Sequence, residues 1–278
     1  QTLWKRLWDM KSKSRFDLPP KWRFICSLEP KPMPAIRDIC KEMEEELTSY
    51  FRSRRLTGFE RSSKVAVIVD DDTRPTPVNV IAPLLVRAFK HLGLDNQKII
   101  FVTALGLHPP MTKSQLRERL GEDIIGNFRV VNHNPDEDLE YFGETSGGVE
   151  VWVNRLVAEA DFKVGIGTLA MHLLGYSGGP KIVMPGVTGR DTAKDFHLAA
   201  LKSPEARWGR LNGNPFYESM KETAEKVGLD LVVDTIFNPE GEVAKVLAGP
   251  PDEVSRSCLL YTSPSPRDLS TSRMPSSA

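Results

Sequence analysis

Residues 65–76 read VAVIVDDDTRPT, a continuously apolar run followed at once by three aspartates, an arginine and a proline. A short run without polar alternation is typical of a strand buried on both faces, as in a parallel sheet. The runs IIFVT at 99–103 and FKVGI at 162–166 have the same character. Amphipathic segments lie between these runs, so the sequence predicts an α/β domain with a mainly parallel sheet flanked by helices.

Helix-boundary signals support this alternation. Residues 35–52 carry apolar side chains at helical spacing, which predicts an amphipathic helix. Thr76 and Pro77 predict an N-cap and a first-turn proline for a helix that Gly93 ends.

Later segments continue the same pattern. Thr112 and Gln115 form a capping-box pair ahead of a helix that Gly121 ends. The turn sequence NPEG at 238–241 lies between two apolar runs and predicts a C-terminal β-hairpin. The remaining predicted elements are strands at 128–131 and 149–153 and helices at 192–201 and 215–227.

Composition restricts the class of protein. The 278 residues carry 37 Lys plus Arg and 37 Asp plus Glu. A zero net charge argues against a general nucleic-acid or anionic-membrane binder. No apolar run approaches the roughly 20 residues that span a bilayer. The three cysteines form no CxxC pair, so we expect neither a disulfide framework nor a zinc ribbon, and we expect a cytoplasmic protein.

Three zones divide the chain. Residues 1–34 are basic, aromatic and then proline-rich, and they predict an irregular N-terminal arm. Residues 35–257 form the predicted α/β domain. Residues 258–278 are rich in Ser, Pro and Arg without any period, and they resemble the in-frame translation of a sequencing adaptor. We therefore expect a non-native tail that does not pack, and, because the chain begins without Met, an internal fragment of a longer protein.

Chemistry-bearing residues follow three of the predicted strands. Asp71 and Arg74 follow the first strand, His108 follows the second, and a segment rich in glycine at 165–181 follows the third. Because ligands bind beyond the carboxyl ends of the strands in open α/β sheets, we expect these segments at one edge.

The segment 165–181 ends in YSGGPK, in which Ser177, Gly178 and Gly179 precede Lys181. Glycines let the backbone approach a ligand closely and offer N–H groups to an anion. A lysine beside such a turn serves as a phosphate clamp or, when desolvated, as a nucleophile. The spacing is not that of a Walker A loop.

Histidines supply the remaining candidates. A rigid loop imidazole such as His108, which Pro109 follows directly, suits a general base. His172 is a possible second base, and His197, on a predicted helix with apolar neighbours, suits a nickel or zinc ligand. Each candidate also has an ordinary structural interpretation: a charged turn at Asp71, a turn histidine, a solvated lysine or a packed core histidine.

The conjunction of these motifs resembles one family. DDTRPTP at 71–77, HPPMT at 108–112, GYSGGPK at 175–181 and the later His197 are similar, in order and spacing, to the amino-terminal domain of the nickel-pincer lactate racemase family. The resemblance covers roughly residues 35–254. It implies racemisation or epimerisation of a small 2-hydroxy acid by proton-coupled hydride transfer, with a nickel-bearing pyridinium mononucleotide as cofactor.

The resemblance also implies roles for single residues. Lys181 is implied to form a thioamide with the cofactor, and His197 to be the protein ligand of nickel. His108 and His172 resemble the paired acid–base histidines, one for each enantiomer. Arg74 resembles an orienting cation supported by Asp71. The resemblance also implies that Ser177, Gly178 and Gly179 contact the nucleotide.

The family further implies enzymes that make the cofactor and a carboxyl-terminal domain that this chain does not contain. Two other classes of function stay open on the residues alone. One is a non-catalytic nucleotide- or phosphate-binding module that uses Gly178, Gly179 and Lys181. The other is a zinc hydrolase in which His108, His172 and His197 converge on one metal ion.

Overall fold

The computed structural model describes residues 2–6, 13–17, 19–23, 32–53 and 63–262. Its strands are β1 (Thr2–Arg6), β2 (Lys13–Asp17), β3 (Val65–Asp70), β4 (Ile99–Ala104), β5 (Arg129–Asn132), β6 (Leu139–Glu144), β7 (Glu150–Asn154), β8 (Phe162–Thr168), β9 (Ala170–His172), β10 (Gly175–Ser177), β11 (Leu231–Phe237) and β12 (Val243–Gly249). Its α-helices are α1 (Ile39–Ser53), α2 (Val78–His91), α3 (Lys113–Leu120), α4 (Glu122–Asn127), α5 (Arg155–Ala158), α6 (Arg190–Leu201), α7 (Pro215–Val227) and α8 (Pro251–Thr262). No helix among these residues is both long and apolar enough to cross a bilayer.

A six-stranded sheet organises the domain, in the order β12-β11-β8-β3-β4-β5. All neighbours pair in parallel except β12, which pairs antiparallel with β11. Every residue of β3 and of β8 is buried, as expected for strands covered by helices on both faces. The predicted fold class and the C-terminal hairpin are confirmed.

Two apolar cores lie on opposite faces of this sheet. On one face, α1 and α2 contribute the fully buried side chains of Met43, Leu85 and Phe89. On the other face, α6 and α7 contribute Phe196 and Phe216. Burial on both faces explains why the strand sequences are continuously apolar and do not alternate.

Most of the predicted elements are present with small shifts at their ends. The Thr112–Gln115 capping box is formed, and Gly121 ends α3 with a positive φ of 84°. The N-cap predicted at Thr76 is wrong. The N-cap residue of α2 is Pro77, without a side-chain cap, because the buried Thr76 hydroxyl instead bonds with Asp70 and Thr168.

The structure differs from the sequence prediction near both ends of the chain. The arm expected to be irregular over 1–34 contains the antiparallel pair β1–β2, because strand pairing between neighbouring segments leaves no signal in composition. The tail expected from 258 onward begins inside α8, which continues to Thr262. The sequence already carries a signal for the start of this helix, since its first turn contains Pro251, Asp252 and Glu253, which are residue types favoured there. Residues 263–278 lie outside the described ones.

Packing of α8 on the domain has a measurable consequence. Val254 is 4% exposed and belongs to the core beside α7. We expect V254A to lower the free energy of unfolding by about 2 kcal/mol, because it leaves a cavity. Urea denaturation measures this, and E253A, at the exposed neighbouring position, is the control. Equal stabilities of the two variants would show that α8 does not pack.

Candidate functional site

A cleft of about 320 Å³ opens at the carboxyl ends of β3, β4, β8 and β11. The parallel register aligns these strand ends, since Asp70 pairs with Ala104 and Asp234 with Gly167. Residues from all three predicted segments line the cleft, together with the start of α6. The lining side chains that carry chemistry are Asp70, Asp71, Arg74, His108, Thr168, His172, Ser177, Lys181, His197 and Asp234.

His108 and Asp71 form a hydrogen-bonded pair at one wall. Nδ1 of His108 contacts Oδ2 of Asp71, and the side chain of His108 is 52% exposed while that of Asp71 is 5% exposed. Burial raises the pKa of Asp71, but hydrogen bonds from Thr73 and His108 outweigh it and hold this pKa below its ordinary value. Asp71 is therefore ionised at neutral pH and accepts Nδ1–H, so Nε2 of His108 keeps its lone pair towards the cleft.

Asp70 and Arg119 fix the loop that carries this pair. Arg119 on α3 forms an ion pair with the Asp70 carboxylate and donates to the carbonyl groups of Arg74 (2.9 Å) and Thr76 (2.7 Å). Its side chain is 9% exposed. Burial raises the pKa of Asp70 to about 6, although Arg119 opposes the rise. The guanidinium thus connects α3 to both ends of the loop between β3 and α2.

His172 lies on the β9–β10 hairpin and stacks on Phe216, with ring centroids 5.2 Å apart and an interplanar angle of 5°. The Leu174 N–H donates to its Nδ1 at 3.2 Å, so the neutral ring carries its proton on Nε2. Burial, followed by the charges of Lys181 and Arg74, lowers the pKa of His172 to about 4. The ring is neutral at pH 7 in the cofactor-free protein.

Lys181 lies in a 3-10 turn, Gly179–Ile182, directly after Gly178. Its amine lines the cleft. Burial and the nearby Arg74 lower its pKa to about 8, against the opposing effect of Asp71. About a tenth of this amine is therefore unprotonated at pH 7, far more than for an ordinary lysine, and the unprotonated amine is the state that attacks an electrophile.

His197 projects into the cleft from α6. Its Nδ1 lies 2.7 Å from the carbonyl oxygen of Ala193, which can only accept, so Nδ1 carries the proton. Nε2 then presents a lone pair. An imidazole fixed in this tautomer by a backbone carbonyl is the usual form of a histidine metal ligand.

The cleft unites eight of the nine predicted site residues: Asp71, Arg74, His108, His172, Ser177, Gly178, Lys181 and His197. Gly179, the ninth, lies behind the wall, and its N–H donates to Asp234. Two details differ from expectation. The Asp71 carboxylate bonds with His108 and Thr73, and Arg74 reaches Asp71 through a backbone bond of 3.2 Å. The Ser177 hydroxyl donates to the Ala170 carbonyl inside the hairpin.

Sequence reasoning missed Arg119, Asp234 and Thr168. Arg119 is one of several charged residues on an otherwise polar helix, and no local pattern distinguishes it. Asp234 interrupts the apolar run at 231–237, and a lone carboxylate in a buried strand was the available signal. His133, in the turn-like sequence NHNP at 132–135, is 3% exposed, and its ring bonds to the Thr188 carbonyl.

No group of three or more His, Cys, Asp or Glu side chains within the described ranges is placed to hold one metal ion. A single histidine with a free Nε2 suits a metal whose other ligands come from a bound molecule.

The fold and the cleft define an α/β ligand-binding domain whose site lies beyond the carboxyl ends of parallel strands. Residues 10–209 match the lactate racemase N-terminal domain. The chain belongs to that family.

Two curated relatives are lactate racemases. The one from Lactiplantibacillus plantarum is 29% identical over 212 residues, which is 74% of this chain and 50% of the relative. The one from Thermoanaerobacterium thermosaccharolyticum is 29% identical over 247 residues, 86% of this chain and 57% of the relative. The chain thus spans about half the length of the first relative and 57% of the second.

Solved structures agree on the fold. The lactate racemase apoprotein from Thermoanaerobacterium thermosaccharolyticum superposes with a TM-score of 0.76 at 26% identity, over 90% of this chain and 60% of that one. A crystal structure of a Thermotoga maritima protein superposes with a TM-score of 0.64 at 22% identity, over 80% of this chain and 58% of that one. The second likeness shows the fold alone.

The Arg119 clamp has a predicted energetic effect. We expect R119M to lower the free energy of unfolding by about 3 kcal/mol, because it leaves the buried Asp70 carboxylate without its partner. The double variant D70N/R119M recovers part of the loss. Urea denaturation measures both. R117M removes an exposed arginine from the same helix and should change stability by less than about 0.5 kcal/mol; an equal loss in R119M and R117M would contradict the clamp.

The positive charges of Lys181 and Arg74 lower the pKa of His172. In the cofactor-free protein we expect K181M to raise the pKa of His172 from about 4 by about one pH unit, because a neighbouring positive charge disfavours the imidazolium. Proton NMR of the histidine ring protons measures the midpoint. K194M changes an exposed lysine of α6 and should leave it unmoved. A midpoint that is the same in K181M and wild type would place Lys181 away from His172.

Proposed function

We propose that this chain is the cofactor-holding part of a racemase or epimerase of 2-hydroxy acids that uses a nickel-pincer pyridinium mononucleotide. One cleft brings together the groups that this chemistry needs. It contains the Lys181 amine, whose pKa is lowered, the His197 ring, whose Nε2 has a free lone pair, and two more imidazoles. Membership of the lactate racemase N-terminal domain family supports the same chemistry.

The residues present fit the proposed cofactor. A partly unprotonated Lys181 amine is suited to condense with a thiocarboxylic acid group of the nucleotide, which would form a thioamide and release water. His197 would supply a single nitrogen to nickel, a borderline metal that accepts imidazole alongside soft sulfur ligands. The glycine turn at Gly178 lets the backbone approach a bound nucleotide closely beside Lys181.

When bound, the nucleotide would supply a reversible hydride acceptor for C2 of the substrate. The protein supplies charge and proton transfer. Arg74 pairs with the substrate carboxylate, which fixes the hydroxyl relative to the histidines. Nε2 of His108 accepts the hydroxyl proton while C2 loses hydride, so a planar 2-keto acid forms and no free alkoxide builds up. Asp71 stabilises the resulting His108 imidazolium through Nδ1.

Inversion requires a proton on the opposite side of the keto acid. His172, as an imidazolium, donates a proton to the carbonyl oxygen when hydride returns to the other face. Its low pKa in the cofactor-free protein comes from burial and from neighbouring cations. A Lys181 nitrogen held in a thioamide would carry no charge, and a substrate carboxylate would compensate for the charge of Arg74. Both changes would raise the pKa of His172 towards the range of a working acid.

The proposal extends beyond this chain. The curated relatives are almost twice as long as the segment that matches, so we propose that a second domain completes the cleft and helps select the 2-hydroxy acid. Enzymes that synthesise the cofactor are the implied partners, and a reducing cytoplasm is the proposed compartment.

Co-expression with cofactor-making enzymes tests this function. We expect about one nickel per chain by elemental mass spectrometry and a mass increment on the peptide that contains Lys181. H197A should lose nickel by about tenfold or more and keep the increment, whereas K181M should lose the increment.

H91A is the matched control, because His91 is an exposed histidine at the end of α2. It should keep both nickel and the increment. Unmodified, nickel-free wild-type protein after co-expression would contradict the proposal. Binding of inorganic phosphate or a simple nucleotide that is indifferent to H197A, without nickel, would favour a non-catalytic phosphate-binding module.

A further inference from the structure

A second buried carboxylate, that of Asp234, lines the inner part of the cleft. It is 2% exposed, on β11, and faces Gly167 of the neighbouring strand β8. Its Oδ2 accepts the backbone N–H of Gly179 at 2.6 Å. Burying a carboxylate inside a sheet costs free energy unless a hydrogen-bond donor compensates it. The hydrogen bond from Gly179 to Asp234 provides that compensation and connects the turn at Gly179 to β11.

Two carboxylates, those of Asp234 and Asp70, lie close to Gly167. A Cβ atom added to Gly167 would lie 2.8 Å from Oδ1 of Asp234 and 3.9 Å from Oδ2 of Asp70. Gly167 thus leaves room for two carboxylates on adjacent strands. Asp70 has Arg119 as its partner, whereas the bond that the structure gives the Asp234 carboxylate is the Gly179 N–H. Burial first, and Asp70 second, raise the pKa of Asp234 to about 7.

The turn that Asp234 holds has little freedom. Gly178 and Gly179 have positive φ angles of 85° and 54°, which L side chains rarely adopt. A Cβ on Gly179 would collide with the Ser255 hydroxyl of α8. The Gly179 backbone is therefore wedged between β11 and α8, and Lys181 N–H donates back to Gly178 at 3.1 Å.

We infer that Asp234 is a positioning residue for Lys181: its carboxylate holds the Gly179 amide, and through the Gly178–Lys181 turn it keeps the lysine amine at the cleft wall beside Arg74. The importance of that position for catalysis rests on the proposed function. The anchor itself is a property of the cofactor-free chain and is tested without cofactor.

Competitive labelling of Lys181 with a small amine-reactive reagent, followed by peptide mass spectrometry across a pH series, reports the state of the amine. In wild type we expect a midpoint near pH 8, in keeping with the lowered pKa of Lys181. In D234A the turn loses its anchor and the amine leaves its buried, cation-facing position, so the midpoint rises by about one pH unit or more. D234N keeps an oxygen acceptor for the Gly179 N–H and should restore the wild-type midpoint.

D230N is the matched control. Asp230 precedes the same strand and also accepts a backbone N–H, that of Lys163 at 2.8 Å, but at the opposite edge of the sheet. It should leave the Lys181 midpoint unchanged. A wild-type midpoint in folded D234A, or an equal rise in D230N, would overturn the inference.

A second measurement stands even if D234A does not fold. Amide hydrogen exchange in the wild-type protein should show Gly179 N–H protected at least about a hundredfold over an unstructured amide. Unprotected exchange at Gly179 would also overturn the inference. Neither readout involves nickel, so failure here is distinct from failure of the proposed function.

Discussion

The parallel register of β3, β4, β8 and β11 is the constraint on which the cleft depends. It aligns the carboxyl ends of four strands, so that loops distant in sequence start from one edge. Each loop then contributes its own groups: Asp71 and Arg74 follow β3, His108 follows β4, and the β9–β10 hairpin and Lys181 follow β8. The chemistry of the site follows from this convergence, because no single loop carries enough groups to bind and transform a ligand.

Burial of charge is the second constraint at that edge. Desolvation raises the pKa values of Asp70 and Asp234 and lowers those of His172 and Lys181. All four groups are therefore shifted towards their neutral forms, and the cofactor-free cleft holds a neutral imidazole and a partly neutral amine. These are the forms that accept protons and attack electrophiles, and groups so perturbed cluster at functional sites.

The sequence predicts the sheet and most of the cleft because both depend on local patterns. Continuous apolar runs identified β3, β4 and β8, and the strand-end rule brought their loops together. The capping box at Thr112 was readable for the same reason, since its partners are three residues apart.

Features that depend on distant partners were not readable. Thr76 has the composition of an N-cap, yet its hydroxyl bonds with Asp70 and Thr168, a strand away. Arg119 clamps a loop that lies more than forty residues earlier in the chain. The role of Asp234 likewise depends on Gly179, which is distant in sequence. These contacts are set by tertiary packing, which no local spacing encodes.

X-ray absorption at the nickel edge, on protein co-expressed with the cofactor-making enzymes, reports whether His197 ligates the metal. We expect a nickel environment with sulfur neighbours and one imidazole nitrogen from the protein, and we expect the imidazole signal to be lost in H197A. A nickel environment without imidazole, or one that H197A leaves unchanged, would contradict the account.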